Sequence, residues 1–157
     1  MKKVMMNFKT LGVVAVLTAA FAISGCNSAA KCTEDRDDNY NSTTNDCNET
    51  ATLAKFLGNW TGNPGAYPFN VTAGTDYKIN VSTNFGLTDG TNQLTPANLN
   101  GWSVSQNQAS LASATLYNGN LTNATVSFTN STSMTVTYTL SNFGSGVDGT
   151  YTEALSM

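Results

Sequence analysis

The stretch Met134-Thr135-Val136-Thr137-Tyr138-Thr139-Leu140 decides the fold class. Apolar residues at 134, 136, 138 and 140 alternate with threonines. An extended chain therefore sends the first set to a core and the second to water. Working outward, Ala124, Val126 and Phe128 alternate with Thr125, Ser127 and Thr129, and Tyr77, Ile79 and Val81 with Lys78, Asn80 and Ser82. Turn chemistry separates these runs: Thr129-Asn130-Ser131-Thr132, Asn142-Phe143-Gly144-Ser145-Gly146, and Asn118-Gly119, a strong hairpin signal between Thr115-Leu116-Tyr117 and Asn120-Leu121. Earlier breaks fall at Gly62-Asn63-Pro64-Gly65, Ala73-Gly74, Asp89-Gly90 and Pro96. Eight strands are predicted, at 58–62, 67–73, 76–83, 101–106, 110–117, 120–129, 132–140 and 147–155. A short helix is predicted over 50–57, with Thr50 as its N-cap and Leu53, Phe56 and Leu57 on one side. The expected fold is all-β, a small antiparallel up-and-down barrel or a β-sandwich.

Composition narrows the chemistry. The chain has 157 residues, a formal net charge of −3, 11% charged residues, no histidine and three cysteines. Without histidine the commonest general base and the commonest metal ligand are both missing. Seven Lys plus Arg exclude a basic nucleic-acid surface, especially since Lys2, Lys3 and Lys9 precede an apolar run. That run, residues 11–23, is well short of the ~20 residues that span a bilayer as a helix. Basic start and short apolar stretch together read as a cleaved signal peptide.

The leader ends in Ile23-Ser24-Gly25-Cys26, which resembles the lipobox of bacterial lipoproteins. That resemblance implies a lipid on the Cys26 thiol, cleavage before it and acylation of the new amino terminus. It divides the chain into a signal peptide at 1–25, a lipid-anchored acidic tether at 26–50 and a folded domain at 51–157. Two or more acyl chains hold a protein on a membrane durably, at ~0.8 kcal/mol per buried CH2. The implied location is the bacterial cell envelope, and Asn27 following the cysteine favours the outer membrane, at its periplasmic or its outer surface.

Residues 27–50 offer almost nothing to a core and read as a disordered spacer. With Cys26 lipidated, Cys32 and Cys47 form an even pair in an oxidising compartment, so a disulfide loop is expected. Inside it, Asp35, Asp37, Asn39 and Asn41 place oxygen side chains at alternate positions, a calcium-loop spacing. Tyr40 stands where such loops need glycine, and Asp46 falls short of the bidentate position. The loop is read as a solvated acidic spacer, with calcium the weaker alternative and no other cofactor expected.

The opening of the folded domain, Phe56-Leu57-Gly58-Asn59-Trp60-Thr61-Gly62, resembles the first strand of lipocalin-like domains, which begins Gly-x-Trp after a short helical turn. The close, Val147-Asp148-Gly149-Thr150-Tyr151-Thr152, is similar to the last strand of small bacterial lipocalin-like lipoproteins. The resemblance implies a barrel with Trp60 closing one end. The arginine that classical lipocalins stack on this Trp has no counterpart, because Arg36 is the only arginine and it lies in the tether.

After Lys55 the only acids are Asp76, Asp89, Asp148 and Glu153. Asp76 and Asp89 lie beside turn glycines, and Asp148 and Glu153, five apart, fall on opposite faces of one regular strand. No converging carboxylate pair and no Ser-Lys motif emerges, so a non-catalytic protein is expected. Binding remains. A barrel mouth would hold a small apolar ligand against some of Trp60, Tyr77, Trp102, Tyr117, Tyr138 and Tyr151, with Phe69 and Phe128 nearby. The alternatives are glycan binding by exposed aromatic and Asn side chains, or a structural or adhesive lipoprotein whose aromatics fill the core.

Overall fold

The computed structural model describes residues 49–157. The leader, Cys26, the Cys32 and Cys47 pair and the acidic loop at 35–46 lie outside the described residues. One helix, α1 (Glu49–Ala54), precedes eight strands: β1 (Gly58–Asn63), β2 (Tyr67–Ala73), β3 (Lys78–Thr83), β4 (Ala97–Ser105), β5 (Gln108–Leu116), β6 (Gly119–Asn130), β7 (Ser133–Ser141) and β8 (Gly149–Ser156). Each strand pairs antiparallel with its neighbours in sequence, and β8 pairs back onto β1 to close a barrel. The barrel, and not the sandwich, is the fold.

Alternation does the sorting. Along β7 the burial follows the sequence residue by residue, with Met134, Val136, Tyr138 and Leu140 buried inside and threonines on the outer wall. The outer wall is rich in hydroxyls: Thr137 and Thr152 share a hydrogen bond of 3.0 Å, and Thr139 and Thr150 one of 2.9 Å. Within the described residues no buried side-chain nitrogen or oxygen lacks a hydrogen-bond partner.

Three differences from the sequence expectation have local causes. The helix begins at Glu49, whose carboxylate accepts the backbone N–H of Tyr77 at 2.8 Å, and it ends at Ala54. Strand β4 starts at Ala97 instead of residue 101, because Leu99 and Trp102 both point inward across an irregularity. There the register opposite β3 shifts, Gly101 takes a φ of 83°, and the Asn80 side chain accepts the Gly101 N–H at 3.1 Å. The β5–β6 hairpin turns on Tyr117-Asn118, with Gly119 already paired to Leu116 as the first residue of β6. A Cβ on Gly119 would fall inside the ring of Phe143, which lies over it. The glycine serves that close approach, while Tyr117 takes the left-handed φ of 56°.

Candidate functional site

The two ends of the barrel are built differently. At one end α1 and the residues after it act as a plug. Leu53 and Phe56 are buried, and Phe56 meets Phe128 edge to face at 6.2 Å. Trp60 is 2% exposed and its ring N–H donates to the Phe56 carbonyl at 2.9 Å, so the tryptophan and the plug hold one another. Lys55 extends its ammonium group to 5.9 Å and 5.8 Å from the Phe56 and Phe128 ring centroids and donates to Asn107 at 2.7 Å. Trp102, fully buried, donates to the Leu99 carbonyl at 3.1 Å. Tyr77 is buried where the β2–β3 turn meets α1, and its carbonyl accepts the Val104 N–H at 2.7 Å. These three candidate residues belong to the core, and none lines the mouth cavity described next.

At the opposite end the β3–β4 and β7–β8 loops frame a cavity of about 290 Å3. Its walls include Phe85, Leu87, Leu94, Leu140, Phe143 and Val147, with Tyr138, Tyr151 and Glu153 facing the same space. The β3–β4 loop is shaped by Asn84, which is 2% exposed. Its amide donates to Gln93 at 2.9 Å and to the Leu94 carbonyl at 2.7 Å, and its oxygen accepts the Gly86 N–H at 3.0 Å. This clasp turns Phe85 into the barrel, where its ring centroid lies 4.1 Å from that of Tyr138 and 6.0 Å from that of Phe69. Tyr138 stacks on Tyr151 at 5.4 Å, and the Tyr151 hydroxyl donates to the Val147 carbonyl at 2.5 Å. Asp148 holds the β7–β8 loop by accepting the Phe143 N–H at 2.8 Å and the Asn142 N–H at 3.2 Å. Tyr117 stays outside the cavity, and its hydroxyl bonds the Thr95 carbonyl, bracing the β5–β6 turn against the β3–β4 loop. Of the six tyrosine and tryptophan candidates, the structure brings Tyr138 and Tyr151 together at the mouth.

Glu153 is the polar centre of this end. On β8, Tyr151, Glu153 and Leu155 share the inward face, while Asp148 lies on the loop before the strand. Asp148 is thus not on the regular strand expected from the sequence to carry both acids. One Glu153 oxygen accepts the Tyr138 hydroxyl at 2.8 Å and the other accepts the Tyr67 hydroxyl. Tyr67 reaches it because Gly62, its cross-strand partner on β1, has no side chain, and a Cβ there would fall within the Tyr67 ring. Burial, and then the hydrogen bond to Glu153, raise the pKa values of both phenols well above the ordinary tyrosine range. Both phenols therefore keep their protons and act as donors. The arrangement can hold a ligand group against a carboxylate.

Tyr67, Phe85, Phe143 and Glu153 were not singled out by sequence reasoning. For Glu153 a signal exists: an acid in step with Tyr151 and Leu155 occupies an inward position of a half-buried strand. For Phe85 none exists, since it lies in a loop without periodicity. Among the described residues no three His, Cys, Asp or Glu side chains come together as a metal site would require. The closed eight-stranded up-and-down barrel, plugged beside a Gly-x-Trp strand, is compatible with the architecture the lipocalin-like resemblance implies. No family model, no curated protein and no solved structure matches the chain.

Proposed function

We propose that this chain is a lipoprotein of the bacterial cell envelope, anchored through Cys26, whose barrel holds a small ligand with an apolar body at its mouth and does no chemistry on it. The observation that carries the binding reading is the asymmetry of the barrel's ends. At one end Phe56 and Trp60 fill the interior, and the groove there lies against the β2–β3 turn and Gly101, whereas the other end leaves a cavity walled by Phe85, Leu94, Phe143 and Val147. At about 290 Å3 it lies near the lower bound for small-molecule sites, so it suits a ligand of one ring or a short chain. The glycan alternative loses its aromatic platform, because both tryptophans are buried and no aromatic side chain among the described residues is fully exposed. The anchoring reading is supported by the basic start, the short apolar run and the Ile23-Ser24-Gly25-Cys26 box.

A neutral probe tests the pocket. Benzyl alcohol added to the isotope-labelled full chain should shift the amide signals of Phe85, Phe143 and Tyr151 and leave those of Trp60 and Phe128 in place. Uniform or absent shifts would overturn the binding reading. For the anchor, Cys26→Ser should abolish membrane partitioning and the acyl mass on the mature amino terminus, and unchanged partitioning would overturn it.

A further inference from the structure

We propose that the mouth cavity selects a ligand carrying a protonated amine, with the Glu153 carboxylate as the group that takes the ammonium. This rests on the reading of the mouth as a binding site and adds the ligand's polar end to it.

A carboxylate offers about four lone-pair directions. Tyr138 and Tyr67 occupy one on each oxygen of Glu153, which leaves acceptor capacity where the side chain lines the cavity. The two phenols orient the carboxylate without neutralising it. Lys55 and Lys78 are the only bases in residues 49–157, and both belong to the plugged end, one after α1 and one at the start of β3. Among the described residues Glu153 thus holds an inward-facing charge with hydrogen-bond donors but no counter-ion. Glu153 is half-buried and lines the open mouth, where a cation entering the cavity can reach its remaining lone pairs.

The surrounding walls suit an ammonium group in particular. Tyr138 packs against both Tyr151 and Phe85, with centroid separations of 5.4 Å and 4.1 Å, so the carboxylate sits in an aromatic wall of the cavity. Aromatic rings that line a site attract a cation held beside them. Leu94, Phe143 and Val147 would then receive the apolar body of the same molecule. Asp148, the other acid at this end, already accepts two loop N–H groups and does not line the cavity. A primary amine on one ring or a short alkyl chain matches both the charge and the walls.

The test is a matched pair, benzylamine and benzyl alcohol, each titrated at pH 7 into the labelled full chain. The expected result is shifts at the mouth from both, with the amine binding about tenfold tighter or more, the gain of one charge-assisted hydrogen bond. Added salt should weaken the amine and leave the alcohol unchanged. Glu153→Gln, which preserves shape and one acceptor for the phenols, should bring the two affinities together. Equal affinities in the native protein would overturn amine selection while leaving the pocket standing. Binding of neither probe would overturn both readings. An amine preference that survives in Glu153→Gln would overturn the role of Glu153. If that variant fails to fold, the native amine-to-alcohol ratio and its salt dependence decide alone.

Discussion

The plugged end and the open end of this barrel solve the same problem, covering the ends of eight strands, with different materials. Around Trp60 the solution is apolar area and ring packing, with each indole N–H given a backbone carbonyl close by in the chain. Around Glu153 it is a carboxylate fastened by two phenols, one from the neighbouring β7 and one from β2, two strands away across β1. Packing alone would have served at both ends. Glu153 is half-buried and faces the open mouth, so it keeps access to solvent that the indoles of the plugged end have lost. The comparison teaches that the aromatics of this chain divide into two sets, one that fills and one that frames.

The largest effect should come from breaking the plug. Trp60→Ala removes a 2%-exposed indole and its bond to Phe56, and should cost about 3–5 kcal/mol in chemical denaturation. A cost below about 1 kcal/mol would mean that α1 closes the barrel without it. The framing set should show itself in alkali. The unfolded tyrosines lose their protons near the ordinary value of 10.0, while buried Tyr67 and Tyr138 hold theirs to higher pH. Their contribution is therefore fully present below about pH 10 and is lost as pH rises above it. Melting curves from about pH 9 to 11 should fall steeply in the native protein and less steeply in Tyr67→Phe and Tyr138→Phe. Identical slopes would remove the phenols from the account.

A sharper probe of the open end is Gly62→Ala, whose new methyl meets the Tyr67 ring and must push the phenol away from Glu153. Overpacking of this kind costs about 1–3 kcal/mol, and denaturant midpoints should register it. In Tyr67→Phe the same glycine change should still clash with the ring but break no hydrogen bond, so its cost should be smaller there. The smallest effect is expected outside both ends. Thr137→Val on the outer wall deletes a hydroxyl pair with Thr152 and should change stability by no more than about 0.5 kcal/mol.

How much of this was legible before the structure depends on periodicity. Strands β3, β6 and β7 could be read from the alternation of Ile79 with Asn80, Val126 with Ser127 and Val136 with Thr137, because each buries one face. The first half of β4 could not, since Leu99 and Trp102 share the interior at a spacing of three around Gly101. Barrel against sandwich was undecidable from period two alone: both alternate in the same way, and only the β8 to β1 pairing separates them. For the site, Tyr138 and Tyr151 were visible as inward aromatics near turns. Trp60 and Trp102 carried the same signature, yet their position along the barrel axis, invisible in a pattern of in and out, makes them filling. Phe85 reaches the mouth only because Asn84 clasps the loop around it, a contact that no local pattern announces.

A closed barrel presents no bare strand to another molecule, and here closure rests on three cross-strand pairs, Thr61 with Ser156, Gly62 with Leu155 and Asn63 with Ala154. By comparison β7 and β8 share eight pairs. The Tyr67 to Glu153 bond steps over β1 to join β2 with β8, so it spans one of the two shortest seams in the wall, the other being β4 with β5. When that seam parts, β1 and β8 become two edges of an open eight-stranded sheet, each with unsatisfied backbone groups that can pair with a neighbouring chain. Amide hydrogen exchange should start along these two strands. The Tyr67 to Glu153 bond therefore works as a clasp across the closure, and losing it should raise the tendency of one barrel to add itself to the next.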